Sequence, residues 1–169
     1  MMSSLNISNI ISFISLVVAQ VLIFNNINFA GTINPYPYIL FVLLYPANNN
    51  RTLFIFLSFL LGLVVDIFSD SGGVHAAASV FLAYVRPVFL KLSFGRLYEH
   101  QSIKFSNTEL GRLITYITLG TLLHHFTMFS LEIFSLSGIL LILKKALFSS
   151  IFTVLLSVLI IILFSQNKK

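Results

Sequence analysis

The chain has 169 residues, 57% hydrophobic and only 9% charged, with a mean hydropathy of +0.98. A soluble domain carries about 25% charged residues, so a soluble globular class is excluded. The net charge of +5 does not point to nucleic acid, because most of the basic residues sit between apolar runs, where membrane topology explains them.

The apolar runs are long and do not alternate, which favours helices over a barrel. The expected fold is an all-α integral membrane protein, one domain over residues 1–169. It is a compact bundle of six transmembrane helices whose second member is short and protein-covered, or re-entrant. There is no cysteine, hence no disulfide framework and no thiol chemistry. There is no tryptophan, so tyrosine and 18 phenylalanines supply the interfacial and packing aromatics.

Helix 1 is expected over residues 7–25. No Lys or Arg precedes it and Asn28, at the minus-three position, spoils a cleavage site after Ala30, so it reads as an uncleaved span rather than a signal peptide. Helix 2 follows Pro35 and Pro37 and ends at Pro46. Residues 36–47 reach only about 18 Å as a helix, against a hydrocarbon core of about 30 Å. Helix 3 covers residues 52–68, and the turn Ser69-Asp70-Ser71-Gly72-Gly73 leads into helix 4 over residues 74–94, with Pro87 as a kink. A polar loop over residues 95–111 carries Arg96, Glu99, His100, Lys104 and Glu109. Helix 5 is expected over residues 109–134. The last segment, residues 139–164, is expected to divide at Lys144 and Lys145 into an interfacial entry and a span.

With six crossings, Arg51, Lys91, Arg96, Lys104, Arg112, Lys168 and Lys169 all fall on one side, and the short opposite connections hold none. The positive-inside rule puts both termini and the long loop in the cytoplasm.

Ser58, Gly62 and Asp66 recur at every fourth residue and share one face of helix 3. Ala76, Ala77, Ala78, Ser79 and Ala83 offer a small-residue surface on helix 4, so a tightly packed hairpin is expected. Asp66 and Arg86 are costly in apolar sequence and should face protein or water. They differ in height by roughly 9 Å at helical rise. A direct ion pair therefore needs an outstretched Arg86, and snorkelling to headgroups is the other option. Asp66 either caps the turn or meets a partner or ligand. Asp70 and His75 are expected at the solvated edge. With Asp66 they match no metal-ligand spacing. One of His124 and His125 should face the bundle, since adjacent helical residues point about 100° apart. A proton path through His125 and Glu132 is the sharper reading, and buried hydrogen-bonded histidine the plainer one. Ala146, Ser150, Thr153 and Ser157 form a packing seam on the last helix. Nucleophile elbow, zinc-protease, phosphate-loop and dinucleotide motifs are all absent, so no enzyme, cofactor or metal is expected.

The stretch GLVVDIFSDSGGVHAAASVFLAYVRP, residues 62–87, resembles the rod shape-determining protein MreD family. The shared features are an acid late in the third helix, then a glycine turn and an alanine-rich helix, here at Gly62, Asp66, Gly73 and the run Ala76, Ala77 and Ala78. The Tyr84-x-Arg86-Pro87 end and the loop YEHQSIKFSNTELGRL look like Bacteroidota-type versions. The resemblance implies a non-catalytic inner-membrane component of the cell-elongation complex. It would sit beside an MreC-like protein and MreB, with RodA, a penicillin-binding transpeptidase and membrane lipids. It also implies a fold similar to the substrate-binding components of energy-coupling transporters, which makes capture of a small ligand the alternative. On this reading Ser58, Gly62, Asp66, Gly72, Gly73, Ala76, Ala77, Arg86 and Pro87 are partner or packing residues, and the 95–111 loop meets headgroups or a cytoplasmic filament.

Overall fold

The computed structural model describes residues 7–29, 33–46, 50–95 and 108–166. Six α-helices lie among them: α1, Ile7–Leu22; α2, Ile39–Leu44; α3, Arg51–Ser69; α4, Val74–Phe94; α5, Leu110–Ile133; and α6, Ile139–Gln166. Short 3-10 turns at Phe24–Asn26 and Leu136–Gly138 are the other helical elements among the described residues. The described residues form no strand, only an isolated bridge between Phe29 and Ile33.

Among the described residues, four helical stretches are long and apolar enough to cross a membrane: Ile7–Asn26, Arg51–Ser69, Val74–Phe94 and Ile139–Phe164. The expectation of six such spans is thereby met only in part. α5 has the length, 24 residues, but its buried face carries Tyr116, Thr121, His124 and His125. α2 has six residues, about 9 Å of helix. It takes the short form expected for it.

The chain still passes from one end of the bundle to the other at α2. Asn25 donates to Ser69 Oγ at 2.9 Å, so α1 finishes beside the end of α3. Pro35 begins the return near Gln20 of α1, and Tyr45 finishes it stacked on Phe54, in the first turn of α3. Tyr45 after α2 is extended and advances about 3.3 Å, and residues 33–36 before it lie outside any helix, so the segment gets across with few residues. Ser8 of α1 and Phe164 of α6 line one groove with Tyr45, which places both at the same end. Arg51, Lys91 and Arg112 share that end, here called the basic end; the opposite one is the glycine-turn end.

α3, α4, α5 and α6 pack as successive antiparallel neighbours, and α1 leans on α3. At the centre Ile39, Leu40, Val42 and Leu43 of α2 are 1% exposed or less. Outer faces remain apolar, as at Ile7, Ile11 and Ile14 of α1 and Leu155, Leu159 and Leu163 of α6. A helix apolar all round belongs in a large core or in lipid.

One boundary is corrected. α6 runs unbroken through Lys144 and Lys145. Lys145 Nζ reaches Glu132 Oε1 at 2.9 Å and lies 5.2 Å from the centre of the Phe129 ring, so its charge is matched without ending the helix. The expectations for Arg96, Glu99, His100, Lys104, Lys168 and Lys169 fall outside the described residues.

Candidate functional site

Asp66 closes the α3–α4 turn. The chain must reverse within a few residues, and Asp70, Gly72 and Gly73 all take positive φ, 50°, 67° and 95°. Glycine carries such angles without a Cβ penalty. The first N–H groups of α4 are orphans by geometry. Asp66 supplies their acceptor from the preceding helix: Oδ1 accepts from the His75 N–H at 3.0 Å and Oδ2 from the Ala76 N–H at 2.8 Å. Ser71 Oγ donates to Oδ1 at 2.6 Å. The carboxylate thus has three donors, and the dipole of α4 favours its charge. Of the two roles open to Asp66, the structure gives it the cap.

Gly62 sits one turn down the same face. A Cβ there would lie 2.5 Å from Ala76 Cα and from the His75 carbonyl oxygen. The two backbones touch, so glycine is required by space. Ser58, Gly62, Asp66 and Ala76 are all buried in this seam, while Ala77 is exposed on the outer face and lies outside it. Pro87 is half-buried and α4 continues past it to Phe94.

Arg86 neither meets Asp66 nor snorkels. It is 3% exposed. Its Nε donates to Tyr116 Oη at 2.8 Å, a terminal nitrogen donates to the Tyr45 carbonyl, and the guanidinium lies 5.0 Å from the Phe54 ring centre. Tyr116 passes the chain on, donating to the Leu43 carbonyl at 2.8 Å. Leu43 and Tyr45 end α2, where carbonyls have no helical partner. Arg86 and Tyr116 therefore form a buried C-terminal cap for the short helix. At its other end Gln20 Nε2 donates to the Pro35 carbonyl at 3.3 Å, and the Tyr36 N–H donates to Thr153 Oγ1 at 2.9 Å. Irregular backbone in an apolar interior persists only where protein satisfies it, and these four side chains do so.

Above α2 lies a histidine–tyrosine cluster. His75, His124 and His125 are all buried, which corrects the expectations that His75 is solvated and that only one of the α5 pair faces inward. Crossing helices on both sides of α5 cover both faces. Tyr38 Oη lies 2.9 Å from His75 Nδ1 and 2.9 Å from His124 Nε2. One hydroxyl proton serves one of them, so the other imidazole must donate. His124 Nδ1 has no partner among the described residues. Orphaned N–H groups are rarer than orphaned acceptors. That assigns the proton of His124 to Nε2, donating to Tyr38, which donates in turn to His75. His125 Nδ1 donates to the Thr121 carbonyl at 2.9 Å, leaving Nε2 to accept from Thr153, 3.4 Å away. Ser150 and Ser157, with Ala146, are buried along the same face of α6.

Chemically, every one of these groups holds backbone or another side chain in place. Among the described residues no group of three or more His, Asp or Glu side chains is placed to hold a metal ion. Tyr38, Tyr116 and Gln20 are absent from the sequence reading. The available signal was the Pro35-x-Pro37 start and the shortness of the run behind it, which announce a helix whose ends need outside partners. Comparison of the chain with family models, with curated proteins and with solved structures gives no match.

Proposed function

We propose that the chain is a non-catalytic inner-membrane component of the bacterial cell-elongation complex, with both termini cytoplasmic. It would hold an MreC-like membrane protein and, through it, MreB, RodA and a penicillin-binding transpeptidase. The family part of this reading rests on the resemblance of residues 62–87. The observation that carries the mechanism is the Asp66–Gly62 lock. An acid inside apolar sequence is used to fix the angle of two helices, and Arg86, toward the other end of α4, is used to fix a third. In lipid, docking relies on close packing and shape, so a rigid bundle with apolar outer faces on α1 and α6 suits a scaffold.

The test is purification of the tagged full chain from native membranes, unaltered and as Asp66→Ala. An MreC-like protein should accompany the unaltered chain. The variant should lose it, and cells should widen. Unchanged co-purification together with unchanged cell width sinks the reading.

A second reading draws on α2. Short, broken helices inside a bundle mark ligand sites in many transporters, which fits a small-molecule-binding component of an energy-coupled uptake system. A vitamin-sized compound carried through the same purification favours it.

A further inference from the structure

A groove of about 650 Å³ opens between α1, α2 and α6 at the basic end. The short helix fills the bundle's middle, and the space along its Leu40–Phe41–Leu44 side, between the first and last helices, is left open. The floor is apolar, with Leu40, Phe41 and Leu44 from α2 and Ile160 and Ile161 from α6. The α1 wall is mixed: Ser8, Asn9, Ser12 and Ser15 line it beside Ile11 and Leu16. From its N-terminus α1 therefore offers hydroxyl and amide groups to an otherwise oily slot.

We propose that this groove seats one acyl chain of an anionic glycerophospholipid, with the headgroup at the Ser8–Asn9–Ser12 end. Size selects the occupant. A helix about 10–12 Å wide rising about 1.5 Å per residue fills the groove with only four or five residues, whereas a spanning partner needs about 20. At roughly 30 Å³ per methylene-sized group, the share one water molecule takes in the liquid, the groove accommodates about 20 such groups, one long acyl chain. Charge selects the headgroup. Arg51, Lys91 and Arg112 stand at this end against Glu109, and in sequence Lys168 and Lys169 follow Phe164 of the groove by four and five residues. At the other end Lys144 and Lys145 are offset by Asp70 and Glu132. Basic residues close to a membrane surface attract anionic lipid. The proposal requires that the chain lies in a bilayer and is independent of the cell-elongation reading.

The absence of tryptophan makes the test direct. The full chain carrying Ile11→Trp reports from the groove wall. Leu159→Trp reports from the exposed face of α6 outside it. Both are reconstituted in phosphatidylcholine vesicles containing increasing fractions of phosphatidylglycerol with brominated chains. The groove tryptophan should be quenched along a saturating curve, with brominated phosphatidylglycerol preferred roughly five-fold, the effect of one nearby basic residue. The Leu159→Trp signal should follow the lipid fraction without preference. Adding Ser12→Phe to Ile11→Trp should fill the groove and abolish the saturating component. Equal behaviour of the two reporters shows ordinary boundary lipid and overturns the proposal. An unquenched groove reporter shows that protein, such as a second copy of the chain, covers the groove, and overturns it equally.

Discussion

Replacing Asp66 by alanine strands the N–H groups of His75 and Ala76 in a buried seam, at about 1–3 kcal/mol for each donor left without an acceptor. Ser71 is only half-buried and can turn to other partners. Asp66→Asn keeps one acceptor oxygen, and asparagine caps helices nearly as well as aspartate. Thermal unfolding of the purified chain should therefore rank the unaltered protein above Asp66→Asn, and that above Asp66→Ala. Equal losses for the two variants would mean that the charge, not the cap, matters. Gly62 gives a sharper case. Its Cβ would strike backbone atoms of Ala76 and His75, which cannot move aside like a flexible side chain. Overpacking of this kind costs about 1–3 kcal/mol per site, so Gly62→Ala is expected at the upper end and Gly62→Leu beyond it. Gly62→Ala with unaltered stability would show that the helices are not this close.

At the scale of elements, α2 depends on side chains from elsewhere. Six residues cannot nucleate a stable helix alone, and each end leaves carbonyl or N–H groups unpaired. Arg86 of α4 and Tyr116 of α5 cap the same end through one connected chain of hydrogen bonds. Arg86→Met and Tyr116→Phe should therefore each destabilise the protein, with about 1.5–3 kcal/mol at stake for bonds to the charged group. The double variant should cost clearly less than the sum, because residues in one network couple. Strict additivity would separate the two roles. Arg86→Lys should rescue little, since an ammonium cannot reproduce the planar fork that reaches carbonyl and phenol together. Glu132 and Lys145 form the contrasting case: a partly exposed pair worth about 0–1 kcal/mol.

At the scale of the whole molecule, the return of the chain through α2 puts Ser8 and Phe164 at one end of the bundle. Reporters fused at Met1 and at Lys169 should accordingly appear on the same side of the membrane, the cytoplasmic one by the charge bias. A reporter at Met1 on the opposite side would overturn the six-pass path. Much of the architecture was readable beforehand. The long, non-alternating apolar runs dictated the helical class, because a strand with one wet face would alternate. Spacing dictated the α3–α4 hairpin, because Ser58, Gly62 and Asp66 repeat at helical period and the glycines behind them permit positive φ. These are local properties, written within a turn or two of chain. The fate of Arg86, the burial of all three histidines and the way α2 is held were decided only by tertiary structure. Their partners lie far off in sequence, as with the 30 residues between Arg86 and Tyr116, the 86 between Tyr38 and His124 and the 117 between Tyr36 and Thr153, and a lone sequence records which polar groups need satisfaction without recording which distant groups will provide it.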